Sequence, residues 1–105
     1  MKHGRREFQN NIGSARILYR VHAAKQMFDR KISEREVTEI VTRGKVIEDY
    51  PGDSPYPSYL LLGEGNDRPL HVVMAYNNVD NEIIVITAYE PDASKWDPGF
   101  MKRKK

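Results

Sequence analysis

Pro69-Leu70-His71-Val72-Val73-Met74-Ala75-Tyr76, then Asn77-Asn78-Val79-Asp80-Asn81, then Glu82-Ile83-Ile84-Val85-Ile86-Thr87-Ala88-Tyr89, is the stretch on which the fold turns. Two apolar, β-branched runs flank a short polar segment of turn composition, the pattern of an antiparallel hairpin. Upstream, Ser58–Gly63 and Lys45–Tyr50 read as two more strands. Gly63-Glu64-Gly65-Asn66-Asp67 supplies the turn between Ser58–Gly63 and the hairpin. The segment 52–57 is a loop, because Pro55 and Pro57 lack amide donors and bias their predecessors away from helix. Pro91 and Pro98 keep the C-terminal segment irregular. These strands predict a four-stranded antiparallel meander.

Two helices are expected before it. From Ser14 to Arg30 the apolar positions are Ile17, Leu18, Val21, Ala24 and Phe28. That spacing makes the stripe of an amphipathic helix. Ile17-Leu18-Tyr19 also reads as a short extended lead-in, with the helix proper from Val21 to Arg30. Ser33-Glu34-Arg35-Glu36 is a capping box: the Ser33 oxygen accepts from the Glu36 amide while the Glu36 carboxylate reaches back. Val37, Ile40 and Val41 make the second buried stripe, and Gly44 is expected in the left-handed conformation that ends it. Only Lys31 and Ile32 separate the helices. The fold class is therefore α+β: two N-terminal helices packed on a four-stranded antiparallel sheet. Residues 1–13 read as a basic flexible tail, 14–101 as a single α+β domain, and 102–105 as a basic C-terminal tail.

Length and composition agree with one domain. A chain of 105 residues holds one core. Its apolar fraction of 39% is enough for that core, while 30% charged residues exclude a membrane-spanning class. No apolar segment follows the basic N-terminus as a secretory signal would require. The absence of cysteine removes disulfides and thiolate zinc sites. Together these favour a cytoplasmic protein with no membrane partner. The net charge is only +2, yet Lys2, Arg5 and Arg6 gather at one end and Lys102, Arg103, Lys104 and Lys105 at the other. Such tails meet phosphates or acidic partners, or are solvated ends.

The usual catalytic motifs are missing. Gly63-Glu64-Gly65 lacks the Gly-Lys-Ser/Thr of a phosphate loop. The three histidines have no metal-ligand spacing, and the serines occupy no nucleophile elbow. The aspartates sit in or beside turns, where local hydrogen bonding explains them. No metal or cofactor is expected.

What remains is His22, His71, Arg30, Tyr89 and Arg103. His22 lies about 110° from the centre of the apolar stripe at about 100° per residue, with Gln26 and Arg30 one and two turns further on. This polar ridge either faces a cleft or is a helix boundary whose histidine is satisfied locally. His71 interrupts an otherwise apolar strand, so it faces solvent, a buried partner or a site. Pairing Tyr76 with Glu82 across the loop sets His71 opposite Thr87, with Tyr89 on the same face. A one-residue slip would separate them. Trp96 reads as a packing anchor for the C-terminal segment.

His22-Ala23, Met27, Arg30-Lys31-Ile32-Ser33 with Val37, and Gly44-Lys45-Val46-Ile47-Glu48-Asp49-Tyr50-Pro51 resemble a bacterial family known as domain of unknown function 4258. The resemblance continues through Pro55–Gly63, Pro69–Val73, Ile84–Pro91 and Trp96, covering roughly residues 15–104. That family looks like a RelE-like branch of the barnase–EndoU–colicin–RelE ribonuclease folds. The resemblance implies RNA as substrate and a cognate antitoxin protein as partner. Many members carry arginine where this chain has Gln26. If that arginine holds phosphate, Arg30 or a tail lysine must serve here.

The expected activity is that of a metal-independent endoribonuclease, the toxin of a toxin–antitoxin-like pair. A base draws the proton from the 2′-hydroxyl, which attacks the adjacent phosphate, and an acid protonates the departing 5′-oxygen. His71 and His22 are the expected base–acid pair, since imidazole titrates near neutrality. Arg30 is the expected phosphate cation, because its fork donates two parallel hydrogen bonds. Tyr89 is expected as an orienting or acid residue. Thr87, Gln26, Arg103 and Lys102 are the expected substrate contacts. The competing expectation is a non-catalytic nucleic-acid- or protein-binding module, or a degenerate toxin, on the same fold.

Overall fold

The computed structural model describes residues 6–105. Lys2 and Arg5 therefore lie outside the described residues. The sheet has five strands in the order β1-β5-β4-β3-β2: β1 Arg16–Tyr19, β2 Lys45–Tyr50, β3 Ser58–Gly65, β4 Arg68–Asn77 and β5 Glu82–Tyr89. β2 to β5 pair antiparallel as the meander predicts. β1, however, pairs parallel with β5, Leu18 beside Ile84. The expected four-stranded antiparallel sheet is thus corrected to a five-stranded mixed one, and the extended reading of Ile17-Leu18-Tyr19 holds. The alternation of Arg16 and Leu18 outward with Ile17 and Tyr19 inward decides it, because inward residues join the core and a helix there would scatter them.

Among the described residues three α-helices and one 3₁₀ turn, Ile12–Ser14, accompany the sheet: α1 Glu7–Asn10, α2 Val21–Arg30 and α3 Glu34–Arg43. From residue 6 onward the expected N-terminal tail is folded. Phe8 of α1 is fully buried, with its ring 5.0 Å from Tyr59 and 5.9 Å from Tyr76. A lone phenylalanine in a polar segment leaves no periodic signal, yet burying one ring stabilises by about 2 kcal/mol. The Gln9 side-chain amide also donates to the Gly44 carbonyl at 3.0 Å.

The core lies between the helices and one sheet face. Ala23 and Met27 of α2, and Val37, Ile40 and Val41 of α3, pack on Leu61, Leu70, Val72, Met74, Ile83, Val85 and Ala88. α3 follows its predicted stripe. α2 does not: Val21 and Phe28 are 87% and 84% exposed, and Ala24 is exposed too. The inward side is instead that of Ala23 and Met27, beside which Gln26 and Arg30 bond to the Thr87 hydroxyl and the Ala88 carbonyl of β5.

Two helix ends differ from the expected chemistry. Gly44 is extended, φ −67° and ψ 166°, rather than left-handed. It is needed for closeness: a Cβ there would meet the Ile40 carbonyl at 2.4 Å and the Leu62 carbonyl at 3.0 Å. The left-handed residue is Lys31, φ 58°, ending α2, with the Ile32 amide donating to Met27 O at 2.8 Å.

The other sheet face carries Leu60, His71 and Val73, the residues that alternate with the core positions. Part of it is covered by the C-terminal segment. There Trp96 and Arg103 form an antiparallel bridge, the Asp97 amide donates to Lys102 O at 2.8 Å and the Lys104 amide to Lys95 O at 2.9 Å. Residues 102–104 are therefore tied into this segment. Among the described residues no helix is long and apolar enough to cross a membrane.

Candidate functional site

His71 sits on β4 with Leu62 on one side and Tyr89 on the other. The expected pairing with Thr87 is corrected by two offsets. The turn pairs Asn77, not Tyr76, with Glu82, and a bulge at Ile86 adds a second residue between the Met74–Val85 and Val73–Thr87 pairs. Each offset alone would turn His71 away from Thr87 and Tyr89. Together they shift the register by two and restore the shared face.

His71 is completely buried. Its ring packs edge-on against Trp96 at 4.5 Å and against Tyr89 at 5.3 Å. Nε2 lies 2.9 Å from the Phe100 carbonyl, which can only accept, so Nε2 carries the hydrogen. Nδ1 is then the lone-pair nitrogen, and the Tyr89 hydroxyl donates to it at 3.3 Å. Burial lowers the His71 pKa against the opposing pull of the Phe100 carbonyl, so the ring is neutral near pH 7. In this arrangement its imidazole touches no solvent, and it reaches a substrate only through Tyr89. Burial in turn raises the Tyr89 pKa, which keeps the phenol protonated.

His22 belongs to a different group. It is exposed on α2, and the Gln26 side-chain amide donates to its Nε2 at 3.0 Å. Gln26 Oε1 accepts from the Thr87 hydroxyl at 2.6 Å. Among the described residues, no hydrogen bond or ring contact joins His22 to His71. The two groups adjoin through Thr87 and Tyr89, which are two residues apart on β5 and share a face. The expected ridge of His22, Gln26 and Arg30 is present, and it runs along the part of β5 that β1 no longer covers.

Arg30 closes that edge. Its guanidinium donates to the Ala88 carbonyl at 2.8 Å and keeps its other donors. Arg30, Ile32, Arg68, Tyr89 and Glu90 line an open depression of about 430 Å³. Arg68, which the sequence reading missed, is held by the Glu36 carboxylate at 3.2 Å and by the Lys31 carbonyl at 2.7 Å. It also faces Glu90 at 3.8 Å. Nothing local marks Arg68, since its partners Lys31, Glu36 and Glu90 are all distant in sequence. Depressions of about 390 and 400 Å³ lie along α3, but they bring together only Glu39, Arg43 and their neighbours, without imidazole or phenol.

The tail residues are used otherwise. Arg103 forks onto Glu48, both contacts at 3.1 Å, and stacks 4.6 Å over the Trp96 ring. That pair holds the Glu48 carboxyl below its usual range. The Arg103 charge is therefore committed within the protein. Lys102 is exposed, and no contact brings its side chain to the depression. No group of His, Asp and Glu among the described residues has metal-ligand geometry.

No curated protein and no solved structure matches the chain. A family match runs from the last residue of β1 to just past β5, narrower than the resemblance read from the sequence. The chain belongs to the family described as Domain of unknown function (DUF4258), which matches residues 19–90.

Proposed function

We propose that this protein is a metal-independent endoribonuclease of the toxin type, restrained by a cognate antitoxin. The observation that carries the reading is the convergence of Arg30, Arg68 and Tyr89 on one depression, with neutral His71 directly behind Tyr89. The likeness of the family to RelE-like ribonucleases, an expectation from the sequence alone, points the same way.

The Arg30 guanidinium holds one phosphate of the RNA, with Arg68 beside it, and offsets the charge on its crowded oxygens in the transition state. Tyr89 contacts the reacting 2′-hydroxyl. As the phenol oxygen takes the 2′-proton, its own proton passes to Nδ1 of His71. The 2′-oxygen bonds to phosphorus, the bond to the 5′-oxygen breaks, and a 2′,3′-cyclic phosphate forms. The leaving oxygen takes a proton from the solvent side, where His22 stands on the α2 ridge. Thr87 and Gln26 link that ridge to Tyr89. Glu36 and Glu90 both engage Arg68, which leaves Arg30, without an ion pair among the described residues, as the chief cation for the phosphate.

Positioned proton transfer contributes about 10²- to 10⁴-fold. Tyr89→Phe and His71→Gln are each expected to slow cleavage of a fluorogenic RNA by at least about 100-fold with the fold retained. Arg30→Ala should chiefly weaken RNA binding. Unchanged cleavage by both Tyr89→Phe and His71→Gln would remove the catalytic reading.

One observation favours a second reading, a non-catalytic RNA-binding module: both His71 nitrogens are already satisfied within the protein. Expression with and without the neighbouring gene separates the two. A toxin arrests growth and fragments RNA, whereas a binder leaves RNA whole and shows only salt-sensitive retention.

A further inference from the structure

An amphipathic helix normally turns its apolar stripe inward. α2 has the opposite arrangement. Val21, Ala24 and Phe28 share one helical face, at about 100° per residue, and Ala23 and Met27, centred about 110° further round the helix, carry the packing. Val21 and Phe28 are among the most exposed large hydrophobic side chains, at 87% and 84%. Ala24 between them leaves a dip flanked by two larger side chains, the shape that receives a side chain from a second helix.

Charge indicates what that second helix is. Arg20 and Lys25 are exposed at the start and middle of the stripe and Lys31 at its end. Among the described residues none of the three makes an ion pair, whereas Arg6, Arg16, Arg43, Arg68 and Arg103 each do. Asp29 is the lone acid on this helix. A second copy of the chain would set like charges against each other across a two-fold contact. An RNA strand would meet the cations but leave Val21 and Ala24 wet. A helix with an apolar stripe and acidic flanks satisfies both features at once.

We propose that the outer face of α2 docks an amphipathic helix of a partner protein, apolar along its contact stripe and acidic on both flanks. The surface is separate from the depression at Arg30 and Tyr89 and does not depend on the nuclease reading. α2 is 10 residues long, so the contact spans about 15 Å, close to three turns of a partner helix.

The test uses the full chain and two labelled synthetic helical peptides with leucine at heptad a and d positions, one flanked by glutamate and the other by lysine. Binding is read by fluorescence anisotropy. The glutamate peptide is expected to bind at micromolar concentration, weakening as salt rises, and the lysine peptide is not. Phe28→Glu and Lys25→Glu should each weaken the glutamate peptide at least tenfold. Phe28 is exposed, so circular dichroism should remain that of the parent, and Val21→Ser serves as a milder second variant. No binding of the glutamate peptide, equal binding of both peptides, or parent-like binding by Phe28→Glu overturns the proposal. So does a parent dimer in sedimentation that Phe28→Glu dissociates, which assigns the face to self-association. Loss of a uridine oligonucleotide in place of the peptide assigns it to RNA.

Discussion

His71 is the residue whose chemistry is most constrained by its surroundings. An imidazole with a carbonyl on Nε2 and a phenol on Nδ1 has one tautomer and no spare nitrogen. Protonating Nδ1 from solvent would set its hydrogen against the Tyr89 O–H, and a proton held there, even one passed on by Tyr89, places a charge in a dry pocket. The sign of the pH effect follows. The folded-state pKa lies below the ordinary 6.5, so as pH falls the unfolded chain takes up the proton first. Stability is therefore expected to decline from about pH 7 toward pH 5, with a slope of at most about 1.4 kcal/mol per pH unit. Urea unfolding across that window measures it. His71→Gln should flatten this part of the profile, and an equally sloped variant would place the titrating group elsewhere.

At the scale of elements, α3 is fastened to the sheet through one carboxylate. Glu36 closes the predicted capping box on Ser33, but it also accepts from the Asn66 amide at 2.8 Å and pairs with Arg68. Burial opposes its ionisation, yet the Ser33 and Asn66 amides and the Arg68 guanidinium outweigh that and hold its pKa at about 2. The glycine at 65 makes room for this, since a Cβ there would come within 2.9 Å of the Glu36 carboxyl carbon. A depressed carboxyl pKa contributes stability that is complete above the unfolded value of about 4.5 and is lost as pH falls toward 2. Glu36→Gln is expected to destabilise the domain by about 1–3 kcal/mol at pH 7, because Arg68 is left half-buried with only the more distant, exposed Glu90 as a charge partner. The same variant should lose less stability than the parent between about pH 4 and pH 2. Equal denaturation midpoints at pH 7 would show the network to be incidental.

The whole molecule is a sheet covered differently on its two faces. Helices cover one, and the C-terminal segment covers part of the other around His71. The anchor is Trp96, 4% exposed, held between His71 and the Arg103 guanidinium. Removing a large buried aromatic typically costs about 3–5 kcal/mol. Trp96→Ala is expected to lower stability by about that amount. It should also open His71 to diethyl pyrocarbonate, which the buried ring of the parent resists. Parent-like resistance in the variant would mean that Trp96 does not hold the cover in place. Because Tyr89 reaches the depression and His71 lies behind it, this segment also sets the dryness of the proposed proton path.

The meander, the box at Ser33 and the inward stripe of α3 follow from local chemistry alone: turn residues, alternation and the spacing of Val37, Ile40 and Val41 act within a few positions. The segment from Val21 to Arg30 was helical by the same rule, and Arg30 and Tyr89 were legible as polar residues at the ends of their elements. Other features needed contacts between distant parts of the chain. β1 is too short to declare itself and became a strand because β5 offered an unpaired edge. The rotation of α2 follows its contacts with β5, where Ala23 and Met27 join the core and Gln26 and Arg30 bond to Thr87 and the Ala88 carbonyl, and the apparent stripe of Val21, Ala24 and Phe28 stays outside. The bulge at Ile86 decided what faces His71, and Glu36 brought Arg68 to the depression. Local pattern records which face of an element is apolar. Only packing decides which face is buried, because burial is a property of pairs of surfaces and a linear sequence states one surface at a time.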